Sequence, residues 1–348
     1  MLKFKVMKEP DSHQFNWDIC GHEKIVHFLQ SAILNGNLAQ AYLFSGPSKL
    51  GKQAIANKFI ASLFCQNSEK DLPCGVCSSC QQIKNEIHPD FYVTTQAINE
   101  KTEKLSRSIV IDQIRNLKYK LQQGTLLNGY KIALIKEAHL MNLNTANALL
   151  KILEEPTKNT IIILLADDAS SLPQTIASRC QILRFLPVPN AEIKSYLENK
   201  GVFDSGLIAK QAYGHPGIAI DLAGSKELSK DIKRNIGVFL KIIEADLGDR
   251  FEIAEKVINW DKDEAVNISL LNDLLHTWQL ALRDIILIKS DNELLVSNTN
   301  YLAELKIPAA TLDFLKIKSI LNKMDQVINY TKYNINSKTI LENLIINL

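Results

Sequence analysis

Nowhere does the sequence carry an apolar stretch near the ~18 residues that a membrane-spanning helix needs; its longest clear apolar run covers residues 161–166. The opening segment MLKFKVMKEPDSHQFNW lacks the apolar core of about 7–15 residues that marks a secretory leader. A surplus of one charge is missing too. The 40 Lys and Arg face 38 Asp and Glu, a net charge of +2, too balanced for a chain whose main task is to coat nucleic acid. With 46% apolar and 22% charged residues, the composition is too apolar for intrinsic disorder. No fixed-period repeat or low-complexity tract is present. These absences exclude a membrane protein, a secreted disulfide scaffold and a disordered tail, and the expectation is a cytoplasmic globular protein. At roughly 100–200 residues per domain, 348 residues make two or three domains.

What is present begins with an alternation. Apolar runs at 41–44, 91–95, 131–135, 160–166 and 181–185 read as strands, and their unbroken apolar character suits a sheet covered on both faces. Helical patterns lie between them, from Lys52 onward (Ile55, Phe59, Leu63 and Phe64 on one face), over 111–121 and 143–153, and briefly over 173–177. Such alternation predicts an α/β fold with a mostly parallel sheet. Leu186-Pro-Val-Pro-Asn190 reads as a hinge, because two prolines leave little room for a helix. Short helical segments follow at 191–200, 207–213 and 218–223, interrupted by Gly214-His-Pro-Gly217. From about Leu228 no strand pattern appears. Leu271, Leu274, Leu275, Trp278, Leu282, Ile285 and Ile286 form one helical stripe, and Leu341, Leu344 and Ile345 begin another. Residues 229–348 carry 15 Lys and Arg against 17 Asp and Glu, so no basic face recommends them for DNA.

Gly46-Pro-Ser-Lys-Leu-Gly51-Lys52-Gln53 follows the first strand and opens a helix. It has the G-x-x-x-x-G-K-[S/T] form of a phosphate loop, in which glycines let backbone amides approach phosphate, Lys reaches the outer oxygens and a hydroxyl holds magnesium. Gly46, Gly51 and Lys52 are therefore the candidate nucleotide-binding residues. The last position fails, since the Gln53 amide is a poor substitute for a hydroxyl on octahedral Mg²⁺. A second departure lies at the end of the 131–135 strand, where hydrolysing P-loop proteins place an Asp-Glu pair for metal and water. Here the pair is Lys136-Glu137, and a cation repels the metal that the carboxylate would support. With two metal positions lost and the glycine frame kept, ATP/Mg²⁺ turnover by this chain is not expected. His139, just beyond, reads as a structural or interface residue.

Four of the six cysteines fall within sixteen residues, as Cys65-x8-Cys74-x2-Cys77-x2-Cys80. Consecutive C-x-x-C steps bring thiols to one point, and four sulfurs complete a tetrahedral zinc site with no position left for catalysis. The expectation is one structural Zn²⁺, with His88 a loop residue outside it. A redox C-x-x-C is the competing reading. Cys20 lies apart, and Cys180 reads as a small buried residue at a strand start.

Several segments together resemble the bacterial clamp-loader ATPases of the AAA+ class: Trp17-Asp-Ile-Cys-Gly-His22, Ala41-Tyr-Leu-Phe-Ser-Gly-Pro47, Cys74-Gly-Val-Cys-Ser-Ser-Cys80, His88-Pro-Asp90, Asn147-Ala-Leu-Leu-Lys-Ile-Leu-Glu-Glu-Pro156 and Ser178-Arg-Cys180. The match covers about residues 12–225. It implies an AAA+ P-loop-like domain over 1–186 with an inserted zinc module at about 65–80, a helical lid over 187–227 and an all-α collar over 228–348. Gln53, Lys136, Asp167 and Gly214-His-Pro-Gly-Ile-Ala219 depart from what the family's motor (gamma/tau-like) subunit would carry. An acidic Asp167 would repel a γ-phosphate, and the segment after Gly214 supplies no Arg. These departures resemble the family's non-hydrolysing ring subunit, in which Gly46, Gly51 and Lys52 bind nucleotide weakly or passively.

The resemblance further implies that Arg179 is an arginine finger acting in trans, its always-charged guanidinium forking onto phosphate in a neighbouring motor subunit. Implied partners are motor and delta-like subunits of the DNA polymerase III clamp loader, with the sliding clamp and primed-template DNA met through the complex. Two other readings stand beside this one. A hydrolysing motor subunit would turn over ATP alone, and a zinc-dependent nucleic-acid-binding module would bind DNA tightly and with strong salt dependence.

Overall fold

A computed structural model describes residues 14–67, 71–97, 106, 108–125, 129–257, 260–261, 264–330 and 335–348. Most of the opening segment read for a leader, residues 1–13, lies outside them. Two compact units emerge, one of residues 1–196 with 214–217, the other of 197–213 with 218–348. The 187–227 segment is thus divided between them.

The first unit follows the order α1 (Glu23–Leu34), β1 (Ala41–Ser45), α2 (Lys52–Phe64), α3 (Ser78–Lys84), β2 (Phe91–Thr94), α4 (Ile111–Gln122), β3 (Lys131–Ile135), α5 (Leu143–Glu154), β4 (Thr160–Ala166), α6 (Gln174–Ala177) and β5 (Gln181–Arg184), and it ends within α7 (Asn190–Asn199). Its five strands form one sheet in the order β2-β3-β4-β1-β5, every pairing parallel. Every residue of β1, β3 and β4 is buried, which explains why these strands are apolar throughout rather than alternating. Tyr42 and Phe44 of β1 face a core with Ile55, Phe59 and Ile60 of α2, while Ala41 and Leu43 face one with Leu117 of α4 and Leu149 and Ile152 of α5. Each fully buried Phe, Leu or Ile contributes about 1.5–3 kcal/mol.

The sheet's order sets the site. Because the strands run parallel, all their carboxyl ends share one edge, and the chain leaving β1 in one direction and returning past it to β5 makes a switch point there. Ligands of open α/β sheets bind at such a crevice.

The second unit is helical among its described residues: the end of α7, α8 (Ser205–Gln211), most of α9 (Pro216–Gly224), α10 (Lys226–Glu244), α11 (Leu247–Val257), α12 (Glu264–Lys289), α13 (Leu302–Thr311), α14 (Phe314–Tyr330) and α15 (Ser337–Ile346). The stripe expected from Leu271 to Ile286 lies on α12 and is buried except at Ile286, which is partly buried, with Trp278 wholly enclosed and its Nε1 donating to the Asn235 carbonyl at 3.0 Å. Asp284, also fully buried, accepts from the backbone amides of Ser297 and Asn298 and from the Asn298 side chain at 2.8 Å. That carboxylate fastens the turn after α12. No helix among the described residues is long and apolar enough to cross a membrane.

Candidate functional site

The phosphate-loop frame occupies the carboxyl edge, between β1 and α2. Gly46 has φ 152°, and a Cβ on it would press into the backbone of Phe185 just after β5. Gly51, at φ 93°, is the N-cap of α2. Both positions demand glycine because a side chain is strained or excluded there. The loop is braced from outside. His22 Nε2 bonds the Leu50 carbonyl at 2.9 Å, its ring resting 4.8 Å from Phe185, and the Gly217 amide donates to the Lys49 carbonyl at 2.8 Å. The Trp17–His22 motif therefore has a local purpose: Trp17 Nε1 donates to Ser62 Oγ of α2 at 2.9 Å, while His22 holds the loop. Burial keeps the His22 imidazole below its ordinary value, against the pull of the Leu50 carbonyl and Glu192.

Lys52 does not reach outward. Its ammonium donates to the carbonyls of Gly46 and, at 2.8 Å, Pro47, and it lies 3.4 Å from Asp167 Oδ1. The residue is only 9% exposed. Burial draws its pKa below the usual lysine range, and the Asp167 carboxylate pushes it back up. Asp167 Oδ2 also lies 3.6 Å from His139 Nε2. The acid expected to repel phosphate thus pairs with the lysine that a phosphate would need, and His139, read from sequence as structural or interfacial, belongs to the same cluster.

Lys136 follows β3 on the same edge and pairs with Glu86 Oε1 at 2.7 Å. Glu86 lies just past α3, the helix of the cysteine segment, so the misplaced cation is held from that side. Glu137, in the left-handed region at φ 51°, is exposed. At the loop's final position Gln53 is exposed as well.

The cysteine segment brings Cys65, Cys74, Cys77 and Cys80 together, with their sulfurs all within 4.8 Å of one another. None is in a disulfide. Successive amides point at successive sulfurs: Cys74 N to Cys65 Sγ at 3.4 Å, Cys77 N to Cys74 Sγ at 3.4 Å and Cys80 N to Cys77 Sγ at 3.5 Å. The last of these is the N-cap of α3. Such amides favour thiolate, and those of Cys77 and Val76 draw Cys74 down to about 6. Burial pushes Cys65 and Cys80 the other way. A tetrahedral ion with metal–sulfur bonds of about 2.3 Å separates its sulfurs by roughly 3.8 Å, so the cluster can hold one metal ion. His88 stays outside the set: it is buried, stacks 4.2 Å from Phe64 and accepts from the Asp90 amide at 3.2 Å. Burial pushes Cys20 up to about 11 and Cys180 up to about 12, as expected of inert thiols.

Arg179 belongs to neither group. It comes between α6 and β5, at the amino edge of the sheet, opposite the phosphate loop. Gln181 is level with Tyr42 and Arg184 with Ser45, so the span from Arg179 to the loop exceeds the length of β5 and amounts to roughly 15 Å or more. An arginine side chain reaches about half that. The guanidinium cannot serve its own loop. It is 39% exposed, donating to Glu154 Oε1 at 2.9 Å and to the Thr175 carbonyl at 3.0 Å.

The parallel five-stranded sheet and the glycine frame between β1 and α2 make a P-loop-like α/β domain. The chain resembles a DNA polymerase III gamma subunit-related protein from Thermotoga maritima, with a TM-score of 0.50 at 17% identity over 93% of this chain and 97% of that one, a likeness of fold alone. Residues 21–189 match the family model for the DNA polymerase III delta subunit. The chain is 39% identical over 153 residues to the delta' subunit of Pseudomonas aeruginosa, covering 44% of each chain. The tau subunit of Bacillus subtilis is 34% identical over 176 residues, covering 51% of this chain and 30% of that one. The chain therefore spans less than half the length of these two relatives. By these matches residues 21–189 are similar to DNA polymerase III clamp-loader subunits, of both the delta' and the tau kinds.

Proposed function

We propose that this chain is the non-hydrolysing, delta-prime-like subunit of a clamp loader. It completes a ring with motor (gamma/tau-like) and delta-like subunits and supplies Arg179 to the ATP site of a neighbouring motor. The observation that carries this reading is the contrast at the loop. Lys52 is spent on two carbonyls and Asp167, and Lys136 is spent on Glu86, while Gln53 offers no hydroxyl for Mg²⁺. A loop whose cation is already neutralised has little left for a triphosphate, so Gly46, Gly51 and Lys52 serve the fold.

In this reading the helical unit from about residue 228 is the collar that joins the subunits, and the 187–227 segment is the lid. Cys65, Cys74, Cys77 and Cys80 would hold Zn²⁺, which supplies cross-linking and no chemistry because four sulfurs fill its coordination. Arg179 stabilises charge that develops on phosphate during transfer in the neighbour, making hydrolysis depend on assembly. ATP in the motor subunits favours a ring that opens the sliding clamp on primed DNA, and hydrolysis releases it.

The test is ATP turnover. The purified chain should show none with Mg²⁺, and turnover should appear when motor and delta-like subunits, clamp and primed DNA are added and fall when Arg179 is Ala. Turnover by the chain alone would instead support the motor reading, which the identity to tau favours.

A further inference from the structure

Glu154 holds the guanidinium of Arg179 through Nη2 at 2.9 Å, and the Thr175 carbonyl holds it through Nη1 at 3.0 Å. Glu154 ends α5, where unpaired carbonyls make a carboxylate unfavourable on its own, and Glu155 adds a second acid beside it. A guanidinium placed there offsets that cost, so the acid is explained by its partner. Both residues stand on packed supports. Leu149 and Ile152 of α5 and Ile176 of α6 are buried in one cluster, which fixes the backbone on each side of the pair. The side chains themselves remain open to solvent, Arg179 at 39% and Glu154 at 49%. Such an exposed pair is weak enough for an incoming phosphate to take over, yet it restrains a side chain that otherwise samples many rotamers.

We propose that Glu154 is a positioning residue for Arg179, presenting the guanidinium already oriented to an anionic phosphate on a neighbouring subunit. The proposal rests on the trans-acting role argued above. Glu154 touches no substrate; it acts through Arg179 alone.

The experiment measures ATP turnover by the full reconstituted complex, with this subunit as wild type, Arg179→Ala, Glu154→Gln, Glu154→Asp or the double variant Arg179→Ala/Glu154→Gln. Complex formation is verified by gel filtration for each. The proposal expects Glu154→Gln to lower kcat about two- to five-fold with KM for ATP unchanged, the range for losing an exposed ion pair. Glu154→Asp should recover part of that loss, and Glu154→Gln should add nothing once Arg179 is Ala. A full kcat in Glu154→Gln beside a large fall in Arg179→Ala overturns the proposal and leaves the trans role standing. An equal fall from Glu154→Gln in both backgrounds overturns it too, assigning Glu154 to the fold. No fall in Arg179→Ala removes the trans role and this proposal with it.

Discussion

The two edges of the parallel sheet each carry a cation of the proposed function, and they treat it in opposite ways. On the carboxyl edge Lys52 is buried and shared among the Gly46 and Pro47 carbonyls and Asp167. On the amino edge Arg179 is exposed and bound by one carbonyl and one carboxylate. A buried ammonium cannot leave its partners without a large desolvation cost to the carbonyls it abandons, whereas an exposed guanidinium changes partners for little. Family resemblance alone would treat both as nucleotide residues. Their surroundings separate them: one charge is committed inward and the other remains available outward.

If the carboxyl edge is braced from the cysteine module through Glu86 and Lys136, removing that module should have the largest effect. Chelation of a metal held by the four cysteines, or Cys74→Ser, is expected to lower stability of the first unit by about 3 kcal/mol or more, read from thermal melts beside metal analysis near one ion per chain. Melts unmoved by either change would detach the module from the edge. Next comes the lysine itself. Lys52→Met leaves two loop carbonyls without their donor and should destabilise by about 2 kcal/mol in urea titrations, a cost that Arg179→Ala does not share.

Protonation offers a smaller test of the same bracing. His22, which fastens the loop, and His88 both have pKa values held below the ordinary 6.5 by burial. Below that value the unfolded chain takes up protons that the folded chain refuses. Their contribution is therefore complete above pH 6.5 and declines as pH falls toward the folded values. Melting temperature should drop between about pH 7.5 and about pH 5.5, and His22→Gln should flatten part of that slope. Smallest of all, Arg179→Ala should change stability by about 0.5 kcal/mol or less, as an exposed pair does. A loss near that of Lys52→Met would erase the contrast between the edges.

The sheet was readable in advance for a physical reason. Strands buried on both faces are written as unbroken apolar runs, and 131–135 and 160–166 coincide with β3 and β4. Helix α1 leaves no such mark in the sequence, since only Leu29 and Ala32 of it are buried. Helix α3 was hidden inside the cysteine spacing, because Cys77 doubles as its N-cap. The loop glycines and Lys52 were legible as a motif, but the lysine's partners were not: Asp167 is 115 residues away, and Glu86 is 50 residues from Lys136. Ion pairs across such separations depend on which strands become neighbours, and the β2-β3-β4-β1 order is a property of the folded sheet. The same holds for Glu154 and Arg179, which the turn into β4 and the exit from α6 bring together.

The most direct measurement compares two reconstituted complexes, one carrying Arg179→Ala and one carrying Lys52→Met, for ATP turnover on clamp and primed DNA. The account predicts that Arg179→Ala lowers turnover at the affected neighbouring site by roughly 10³-fold while Lys52→Met, once assembled, stays near wild type. Turnover that falls as far with Lys52→Met, or that survives Arg179→Ala, would contradict it.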